Sequence, residues 1–381
     1  MKRFIILGST GSIGRSSLDV VSSNPDHFEV IGLAACSSVD KMCEQIERYR
    51  PKAVSMEQPK AAAQVRERVG SITKVYEGAE GMNEMIVSLD DVDGVINGLV
   101  GSAGMVPTLT ALENGRDVLL ANKETMVMAG PIVMETMKKH ACRIVPIDSE
   151  MSAIYQCLNS DGKEVKRLIL TASGGPFADF SLNDLKNVTV EQALNHPTWN
   201  MGTKNTIDSA TMMNKGLEII EASYLFGIPG EHIDITIHRT SVSHSLVEYV
   251  DGSILTQISK PDMRLAIQYA MTYPHRLASP YGSLDFSKPF SLSFEPPDFE
   301  RFPCLALAYE SLARGGTATA AMNGANEQAV EAFVDSKISF MEIAELTGKV
   351  VKEHNFIPDP TIEDLIATDK DVKRRIEEMI K

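Results

Sequence analysis

The sequence predicts an α/β protein with an N-terminal parallel sheet, a central α/β domain and a C-terminal helical bundle. Over the first 150 residues, short apolar runs alternate with amphipathic stretches, as in strands joined by crossover helices. After residue 304 the apolar residues recur with helical spacing. The length of 381 residues also exceeds what one ordinary core holds, so we expect more than one domain.

The N-terminal pattern predicts individual elements in order along the chain. Apolar runs of strand length lie at 4–7, 29–34, 53–56, 94–96, 118–121 and 143–147. Amphipathic stretches between them predict helices at 14–22, 39–50, 60–69, 105–113 and 131–140. This alternation is typical of a parallel sheet with helices on its faces.

The pattern changes after residue 148. It predicts a helix at 152–158 and strands at 167–171, 232–240, 246–249 and 254–259, with a hairpin turn at Asp251-Gly252. A stretch rich in Pro, Phe and Ser, 280–303, is typical of an extended linker. Helices are predicted at 305–313, 317–334, 340–353 and 362–380. We therefore expect four parts: 1–148, 149–279, 280–303 and 304–381.

Composition argues against several classes of protein. The net charge of −14 and the pI of about 5.1 disfavour binding to nucleic acids or anionic membranes, which requires a basic surface. No stretch approaches the ~20 apolar residues of a membrane span. The five cysteines are scattered without a CxxC pair, which argues against a disulfide framework or a structural zinc site. We therefore expect a cytoplasmic protein without a nucleic-acid or membrane partner.

A glycine-rich segment, Gly8-Ser-Thr-Gly-Ser-Ile-Gly14, follows the first predicted strand and opens the first helix. Glycines there permit a tight turn and a close approach of backbone amides to a pyrophosphate. Its position favours a Rossmann-like dinucleotide site over the alternative, a structural turn. After the second strand, Ser37 and Ser38 could hydrogen-bond a 2′-phosphate. No acidic residue precedes Asp40 there, which favours NADP over NAD although no Lys or Arg stands beside the serines.

Two acidic residues close the strand predicted at 143–147. Asp148 and Glu150 point to the same side of an extended chain. With Glu218 they would form a set of three carboxylates, which suits Mg²⁺ or Mn²⁺ better than Zn²⁺. The alternative is a pair of surface acids at the end of a strand.

The run Asp208-Ser-Ala-Thr-Met-Met-Asn-Lys-Gly-Leu-Glu218 combines several polar groups. Asp208 and Ser209 are expected to start a helix, because their side-chain oxygens can accept first-turn amides. On that helix Asn214, Lys215 and Glu218 would share one face. Such groups beside a helix N-terminus could hold a phosphorylated substrate next to a divalent metal. The alternative is a solvated helix start with an ordinary Lys–Glu pair.

Three further segments carry candidate residues. Lys123 follows a predicted strand, where ligands bind in open parallel sheets, although a lone lysine there is usually solvated. Ser173-Gly-Gly175 predicts either a phosphate nest or a plain turn. The segment 196–202 holds the only tryptophan, Trp199. A lone tryptophan is more often a core residue, but its polar, Pro/Gly-bounded setting raises the alternative of a closing flap.

Taken in order, these motifs resemble the 1-deoxy-D-xylulose 5-phosphate reductoisomerase family. The resemblance is carried by 8–14, 120–124, 148–150, 171–177, 196–202, 208–218 and 261–264, which span nearly the whole chain. It implies a homodimer with an NADPH domain, a catalytic domain, a linker and a C-terminal helical domain. It also implies a metal-dependent rearrangement by retro-aldol cleavage and re-addition. NADPH would then reduce the resulting aldehyde to 2-C-methyl-D-erythritol 4-phosphate.

The resemblance implies a role for each matching residue. Asp148, Glu150 and Glu218 would bind the metal, as Mg²⁺, Mn²⁺ or Co²⁺. Ser173, Ser209, Asn214 and Lys215 would hold the substrate phosphate, and Lys123, Ser149 and His196 the sugar or its phosphate. Trp199 and Met201 would belong to a flap. The residues that would contact NADPH are Thr10, Gly11, Ser12, Ile13, Ser37, Ser38, Asn122, Glu124 and Gly202.

The chain departs from the family pattern at a few positions. Met151 stands where the family usually has His, Arg239-Thr240 replace Pro-Gln, and Cys36 replaces Gly. Because Met151 makes no strong hydrogen bond, we expect the surroundings of Glu150 to be weaker or differently organised, with activity retained but its rate or metal preference altered. Two rival functions remain open. One is another NADP-dependent dehydrogenase of a phosphorylated or semialdehyde substrate, and the other is a non-catalytic NADP-binding regulator on the same fold.

Overall fold

The computed structural model describes residues 1–158, 164–199 and 201–381. The chain divides into two compact units, each with its own sheet. Unit 1 comprises Met1–Thr125, Ile132–Ser152 and Asp262–Gly282. Unit 2 comprises Met126–Pro131, Ala153–Pro261 and Ser283–Lys381.

The secondary structure confirms the predicted α/β class. The strands are β1 (Lys2–Leu7), β2 (Phe28–Ala35), β3 (Ala53–Met56), β4 (Lys74–Glu77), β5 (Gly94–Asn97), β6 (Val118–Leu120), β7 (Ile144–Pro146), β8 (Val165–Ala172), β9 (Ile233–Ile237), β10 (Ser243–Tyr249) and β11 (Ile254–Ile258). The helices are α1 (Ser12–Ser23), α2 (Val39–Tyr49), α3 (Pro59–Val69), α4 (Gly78–Ser88), α5 (Met105–Glu113), α6 (Lys123–Lys139), α7 (Ser149–Cys157), α8 (Leu182–Leu185), α9 (Val190–Leu194), α10 (Thr203–Ala210), α11 (Met213–Phe226), α12 (Met263–Thr272), α13 (Cys304–Arg314), α14 (Ala318–Val334), α15 (Phe340–Glu353) and α16 (Ile362–Ile380).

Unit 1 is built on a parallel sheet with the strand order β4-β3-β2-β1-β5-β6-β7. Its central strand β1 is an apolar run whose Phe4–Leu7 side chains are all buried. A strand covered on both faces is expected to be apolar throughout rather than alternating. The strand order reverses between β1 and β5, which places a crevice at the carboxyl ends of these strands.

Three of these elements of unit 1 were absent from the sequence expectations: β4, the helix α4 that follows it, and the helix α12. β4 lies at the edge of the sheet, where one side of a strand needs no partner. Its four residues include Lys74 and Glu77, both exposed, so no apolar run marks it. The helix α12 also belongs to this unit. The Lys2 ammonium anchors the end of α12 by donating to the carbonyls of Met271 (3.1 Å) and Tyr273 (2.9 Å).

Unit 2 contains a four-stranded sheet with the order β11-β10-β8-β9. β8 and β9 are parallel, whereas β10 pairs antiparallel with both β8 and β11. The predicted hairpin turn between β10 and β11 is present, with Gly252 at a φ of +85° and the Tyr249 amide donating to the Ser253 carbonyl (2.9 Å). A positive φ is a conformation that glycine adopts without steric cost.

The helices of unit 2 share a core beneath α11. Met213, Leu217 and Ile220 of α11 pack with residues of α13, α14 and α15. The residues on those three helices are Cys304, Leu307, Ala308, Met322 and Val351. This contact fixes the face of α11 that points inward, and so determines which of its polar residues lie on the opposite side. None of the described helices is both long and apolar enough to cross a bilayer.

Candidate active site

The predicted cofactor loops of unit 1 all follow strands of its parallel sheet. The glycine-rich loop follows β1, Ser37 and Ser38 follow β2, and Asn122 follows β6. Asp148 comes directly after β7. Parallel strands present their carboxyl ends at one edge of the sheet, so these loops lie along the same edge.

The glycine-rich loop is closely packed against its own backbone. Gly8 has a φ of +76°, and a Cβ there would lie 2.6 Å from the Gly98 carbonyl oxygen. A Cβ on Gly14 would lie 2.4 Å from the Gly8 carbonyl oxygen. Helix α1 begins after Gly11 and has no side-chain cap. Its first-turn amides therefore suit an anionic group, as a pyrophosphate nest requires.

Gln45 supports this loop, although no sequence motif includes it. The Ser9 hydroxyl donates to the Gln45 side-chain oxygen (2.7 Å), and the Gln45 amide donates back to the Ser9 carbonyl (2.9 Å). Of the serines after β2, Ser37 is exposed and Ser38 half-buried. Gln45 could be anticipated only from its position on α2, two turns after these serines.

Asn122 has a structural role in unit 1. Its side-chain oxygen caps α6 by accepting the Thr125 amide (3.0 Å). Its amide nitrogen lies within hydrogen-bond distance of the Leu99 carbonyl (3.0 Å), the Gly101 carbonyl (2.9 Å) and the Glu124 carboxylate (3.1 Å). The buried Asn122 and Glu124 thus join the loop after β5 to the start of α6.

The acidic pair after β7 has a lysine partner. The Lys123 ammonium lies 2.6 Å from an Asp148 carboxylate oxygen, and both side chains are about nine-tenths buried. The other Asp148 oxygen accepts the Glu150 amide (3.3 Å), and the Ser149 hydroxyl donates to Glu150 (2.6 Å). Hard carboxylate oxygens held at a helix start are a donor set that fits Mg²⁺ or Mn²⁺.

The expectation that Asp208 and Ser209 start a helix is wrong. They lie in the last turn of α10, and α11 begins only after Met212, whose φ is +62°. The physical reason is that the Asp208 carboxylate is buried and has partners other than helix amides. It accepts hydrogen bonds from Lys204 (2.8 Å) and from Asn326 of α14 (2.8 Å). A partner 118 residues away is invisible to a capping pattern.

The shared face of Asn214, Lys215 and Glu218 on α11 is present as expected. The Asn214 amide donates to one Glu218 oxygen (2.6 Å), and the Lys215 ammonium forms an ion pair with the other. Lys215 and Glu218 are both buried. A buried carboxylate is tolerated because a buried cation offsets its charge.

Unit 2 brings three predicted substrate residues together. The Nε2 atom of His196 lies 3.1 Å from both the Ser173 and the Ser209 hydroxyl oxygens. The Nδ1 atom accepts the backbone amides of Thr198 (3.1 Å) and Trp199 (2.9 Å). Nδ1 is therefore unprotonated, and Nε2 carries the proton of the neutral ring. Burial lowers the pKa of His196, which keeps the ring neutral.

The loop after β8 packs closely against this cluster, which we call the Ser173–His196–Ser209 cluster. Gly174 and Gly175 have φ values of +87° and +67°, and the Gly175 amide points to the Ser173 hydroxyl (3.2 Å). A Cβ on Gly175 would lie 2.6 Å from the Ser209 carbonyl oxygen. Two hydroxyls, an imidazole N–H and glycine amides together form a donor-rich site that suits a phosphate.

The predicted flap residues flank the same cluster. Trp199 and Met201 are half-buried and Gly202 is exposed, while Asn200 between them lies outside the described residues. The Trp199 ring centroid is 6.2 Å from that of His244. His244 is buried and hydrogen-bonds Ser259 (3.1 Å). This histidine gives the tryptophan a packing surface in unit 2.

Comparison with known proteins identifies the same family over most of the chain. Three family models match: 1-deoxy-D-xylulose 5-phosphate reductoisomerase (4–130), its C-terminal domain (144–226) and the DXP reductoisomerase C-terminal domain (258–375). The 1-deoxy-D-xylulose 5-phosphate reductoisomerase of Thermoanaerobacter pseudethanolicus is 49% identical over 378 residues, which cover 99% of this chain and 98% of the relative.

Solved structures of such enzymes are similar along the whole chain. One is a DOX-P reductoisomerase in complex with NADPH, fosmidomycin and magnesium, with a TM-score of 0.95 and 40% identity. It covers 100% of this chain and 98% of its own. Another is the Zymomonas mobilis 1-deoxy-D-xylulose 5-phosphate reductoisomerase in complex with NADPH. Its TM-score is 0.92 at 41% identity, covering 100% and 99% of the two chains.

The buried His244 predicts a pH dependence of stability. Burial is the main cause that lowers its pKa to about 4 from the usual 6.5, and Lys215 and His238 act in the same direction. As the pH falls below 6.5, the unfolded chain takes up a proton that the folded protein refuses until about pH 4. The free energy of unfolding should therefore fall by about 3 kcal/mol over that range.

Urea denaturation at several pH values tests this expectation. A His244→Gln variant should lose about that part of the pH dependence, whereas a His275→Gln control at an exposed position should keep it. Equal slopes for the wild type and the His244 variant between pH 6.5 and 4 would contradict the assignment.

Proposed function

The chain belongs to the 1-deoxy-D-xylulose 5-phosphate reductoisomerase family, and we propose that it converts this sugar phosphate to 2-C-methyl-D-erythritol 4-phosphate with NADPH and a divalent cation. The observation that carries the proposal is the Ser173–His196–Ser209 cluster, which offers neutral donors to a phosphate. Lys215 and Asn214 on α11 add an ammonium and an amide to the proposed phosphate ligands. A phosphate dianion is held well by charge-assisted hydrogen bonds from such a set.

The cofactor proposal rests on the cradle after β1. Its glycines leave no room for a Cβ, so a dinucleotide backbone could approach the first-turn amides of α1 closely. Ser37 and Ser38 would face the adenosine end, where no described acidic side chain precedes Asp40. NADPH supplies the hydride of the reduction. The proposed contacts are Thr10, Gly11, Ser12, Ile13, Ser37, Ser38, Asn122, Glu124 and Gly202.

The metal proposal assigns Asp148, Glu150 and Glu218 to one divalent cation. All three offer carboxylate oxygens, the ligands that Mg²⁺ and Mn²⁺ prefer, and Co²⁺ accepts them as well. The lysines beside two of these acids, Lys123 and Lys215, offset the carboxylate charge in the protein interior. The bound cation supplies Lewis-acid polarisation of substrate oxygens.

The remaining residues would orient the sugar and exclude water. Lys123, Ser149 and His196 are proposed to contact the sugar or its phosphate. Trp199 and Met201 would close over it, which shields the reaction from solvent. The proposed sequence is retro-aldol cleavage and re-addition followed by reduction of the aldehyde. Binding energy from the phosphate, remote from the reacting carbons, would offset the cost of closure and orientation.

The cysteines argue against the rival dehydrogenase. Burial raises the pKa of Cys36, Cys43, Cys142 and Cys304, the last to about 12. A raised pKa keeps a thiol protonated and therefore a poor nucleophile. None of the five cysteines is in a disulfide, which supports a reducing cytoplasmic location. A non-catalytic regulator would bind NADPH without turnover, and the assay below separates it from an enzyme.

Divalent-metal removal tests the proposed function. The enzyme with 1-deoxy-D-xylulose 5-phosphate should oxidise NADPH, followed by its absorbance. EDTA should abolish turnover, because the reaction needs a Lewis acid. Excess Mg²⁺, Mn²⁺ or Co²⁺ should restore it. Undiminished turnover in a metal-free solution would rule the mechanism out, and binding of NADPH without any turnover would favour a regulator.

The metal ligand set predicts the effect of Glu218→Gln. Removing one ligand charge should lower kcat by about 100-fold or more, because transition-state charge is then less stabilised. The divalent-metal affinity, measured by calorimetry, should fall as well. A matched control is Glu310→Gln on the exposed face of α13, which should behave as the wild type. Near-normal turnover of the Glu218 variant would show that the ligand set is wrong.

We also propose that the enzyme is a homodimer, as the family resemblance implies. β11 is an edge strand of its sheet, and its Ile254 and Leu255 are 49% and 45% exposed. Val250 in the preceding turn is 68% exposed. An apolar edge strand without a cover is prone to pair with a second chain.

Light scattering after size exclusion tests the dimer. The expected mass is twice the 41.6 kDa of the chain, and Leu255→Lys should shift it toward the monomer by placing a charge on the edge. A monomer mass for the wild type at assay concentration would contradict the proposal.

A further inference from the structure

Asp208 occupies an unusual position for a carboxylate in unit 2. Its side chain is fully buried in the last turn of α10, directly before Ser209. Its carboxylate accepts hydrogen bonds from Lys204 on the preceding turn and from Asn326 on α14, both at 2.8 Å. The Asn326 contact therefore links α10 to a helix 118 residues further along the chain.

Asn326 is itself costly to bury. It is fully inaccessible, and its side-chain oxygen has no hydrogen-bond partner among the described residues. A buried polar atom without a partner destabilises a fold, so an apolar residue would pack more favourably at this position. The hydrogen bond that its amide nitrogen donates to Asp208 is the one described hydrogen bond of this side chain. That contact is the physical reason for an amide at this point of α14.

The position of Asp208 determines the position of the proposed phosphate ligands. The hydroxyl oxygen of Ser209, the next residue, lies 3.1 Å from the Nε2 atom of His196. Its carbonyl oxygen lies so close to Gly175 that a Cβ there would be only 2.6 Å away. The Thr211 hydroxyl donates to the Asp208 carbonyl (3.2 Å) and accepts the Met213 amide (3.2 Å). Thr211 thus links the Asp208 backbone at the end of α10 to the first residue of α11.

The start of α11 depends on the same turn. The Met212 carbonyl accepts hydrogen bonds from the amides of Lys215 and Gly216, both at 3.1 Å. The position of Met212, the last residue before α11, therefore determines where the first helical turn of α11 lies. A shift of Asp208 would displace Ser209 on one side and Asn214 and Lys215 on the other. α14 is a suitable anchor for it, because most of its residues are buried.

We propose that Asn326 is a positioning residue that holds Asp208, and through it Ser209 and the first turn of α11, in the geometry that binds the substrate phosphate. This inference rests on the proposed function of the same cluster. It assigns to a C-terminal helix an indirect influence on phosphate affinity, with no contact between Asn326 and the phosphate. The neutral amide is required, since a carboxylate at 326 would repel Asp208 in a buried setting.

Steady-state kinetics of Asn326→Leu test the proposal. The KM for 1-deoxy-D-xylulose 5-phosphate and the inhibition constant of inorganic phosphate should both rise about tenfold, the effect of one buried hydrogen bond to a charged group. The kcat should change less than KM, and the dissociation constant of NADPH should stay within about twofold, because unit 1 is unaltered.

The matched control lies on the same helix. Asn323 is equally buried and donates to Glu327 (2.9 Å), whose carboxylate pairs with Lys373 of α16 (2.8 Å), so Asn323→Leu should leave KM and phosphate inhibition unchanged. Thermal melts of both variants measure any loss of stability. Equal effects of the two substitutions on phosphate inhibition would overturn the positioning role.

A reciprocal exchange keeps the test decisive if Asn326→Leu does not fold. The double variant Asp208→Asn with Asn326→Asp restores an amide–carboxylate pair in the opposite sense. It should bind inorganic phosphate more tightly than Asn326→Asp alone. Failure of the exchange to restore affinity, in a folded protein, would overturn the inference. Absence of turnover by the wild type would instead overturn the proposed function, so the two failures are distinguishable.

Discussion

Compensation of buried acids by neighbouring cations is the constraint on which both candidate regions depend. Asp148 is paired with Lys123 in unit 1, and Glu218 with Lys215 in unit 2. Asp208 has Lys204 as its partner. An isolated buried carboxylate would take up a proton, and would then be a poor metal ligand or anchor. The lysines offset the negative charge of these groups in the interior, so their placement precedes any chemistry that the site performs.

Such pairs are poor contributors to stability, since desolvation of two charges consumes much of their attraction. Apolar residues of similar size would pack at least as well, which makes function the better explanation of the pairs. The same reasoning applies to the glycines. Gly8, Gly14 and Gly175 give up side-chain packing so that backbone amides can lie where phosphate groups would bind.

Features set by local sequence were predicted correctly, whereas contacts between residues far apart in the chain were not. The Asn214–Glu218 contact follows from helical spacing alone, and the glycine-rich loop follows from its place after an apolar strand. The charged edge strand β4 gave no apolar signal. The predicted start of α11 is wrong because aspartate is a common N-cap residue, but Asp208 instead hydrogen-bonds Asn326. Only the tertiary structure brings Asn326 near. The metal and phosphate roles were suggested by residue type and spacing, and the role of His196 by the family resemblance alone. Its tautomer required the observed amide contacts.

Two departures from the family pattern, Met151 and Arg239, make contacts that do not involve a proposed ligand other than Glu150; Met151 is buried, whereas Arg239 lies at the surface. Met151 is fully buried in the core, and the hydrogen bond to Glu150 comes from Ser149 instead. Arg239 forms ion pairs with Asp179 (2.8 Å), which follows the Gly174-Gly175 loop in sequence, and with Glu295 (3.1 Å) of the segment 280–303. Because Ile237 also pairs with Glu295 through its backbone, Arg239 adds a second tie between that segment and β9. A proline restrains a loop through its ring, whereas Arg239 restrains it through two ion pairs. Neither ion pair involves Ser173, His196 or Ser209.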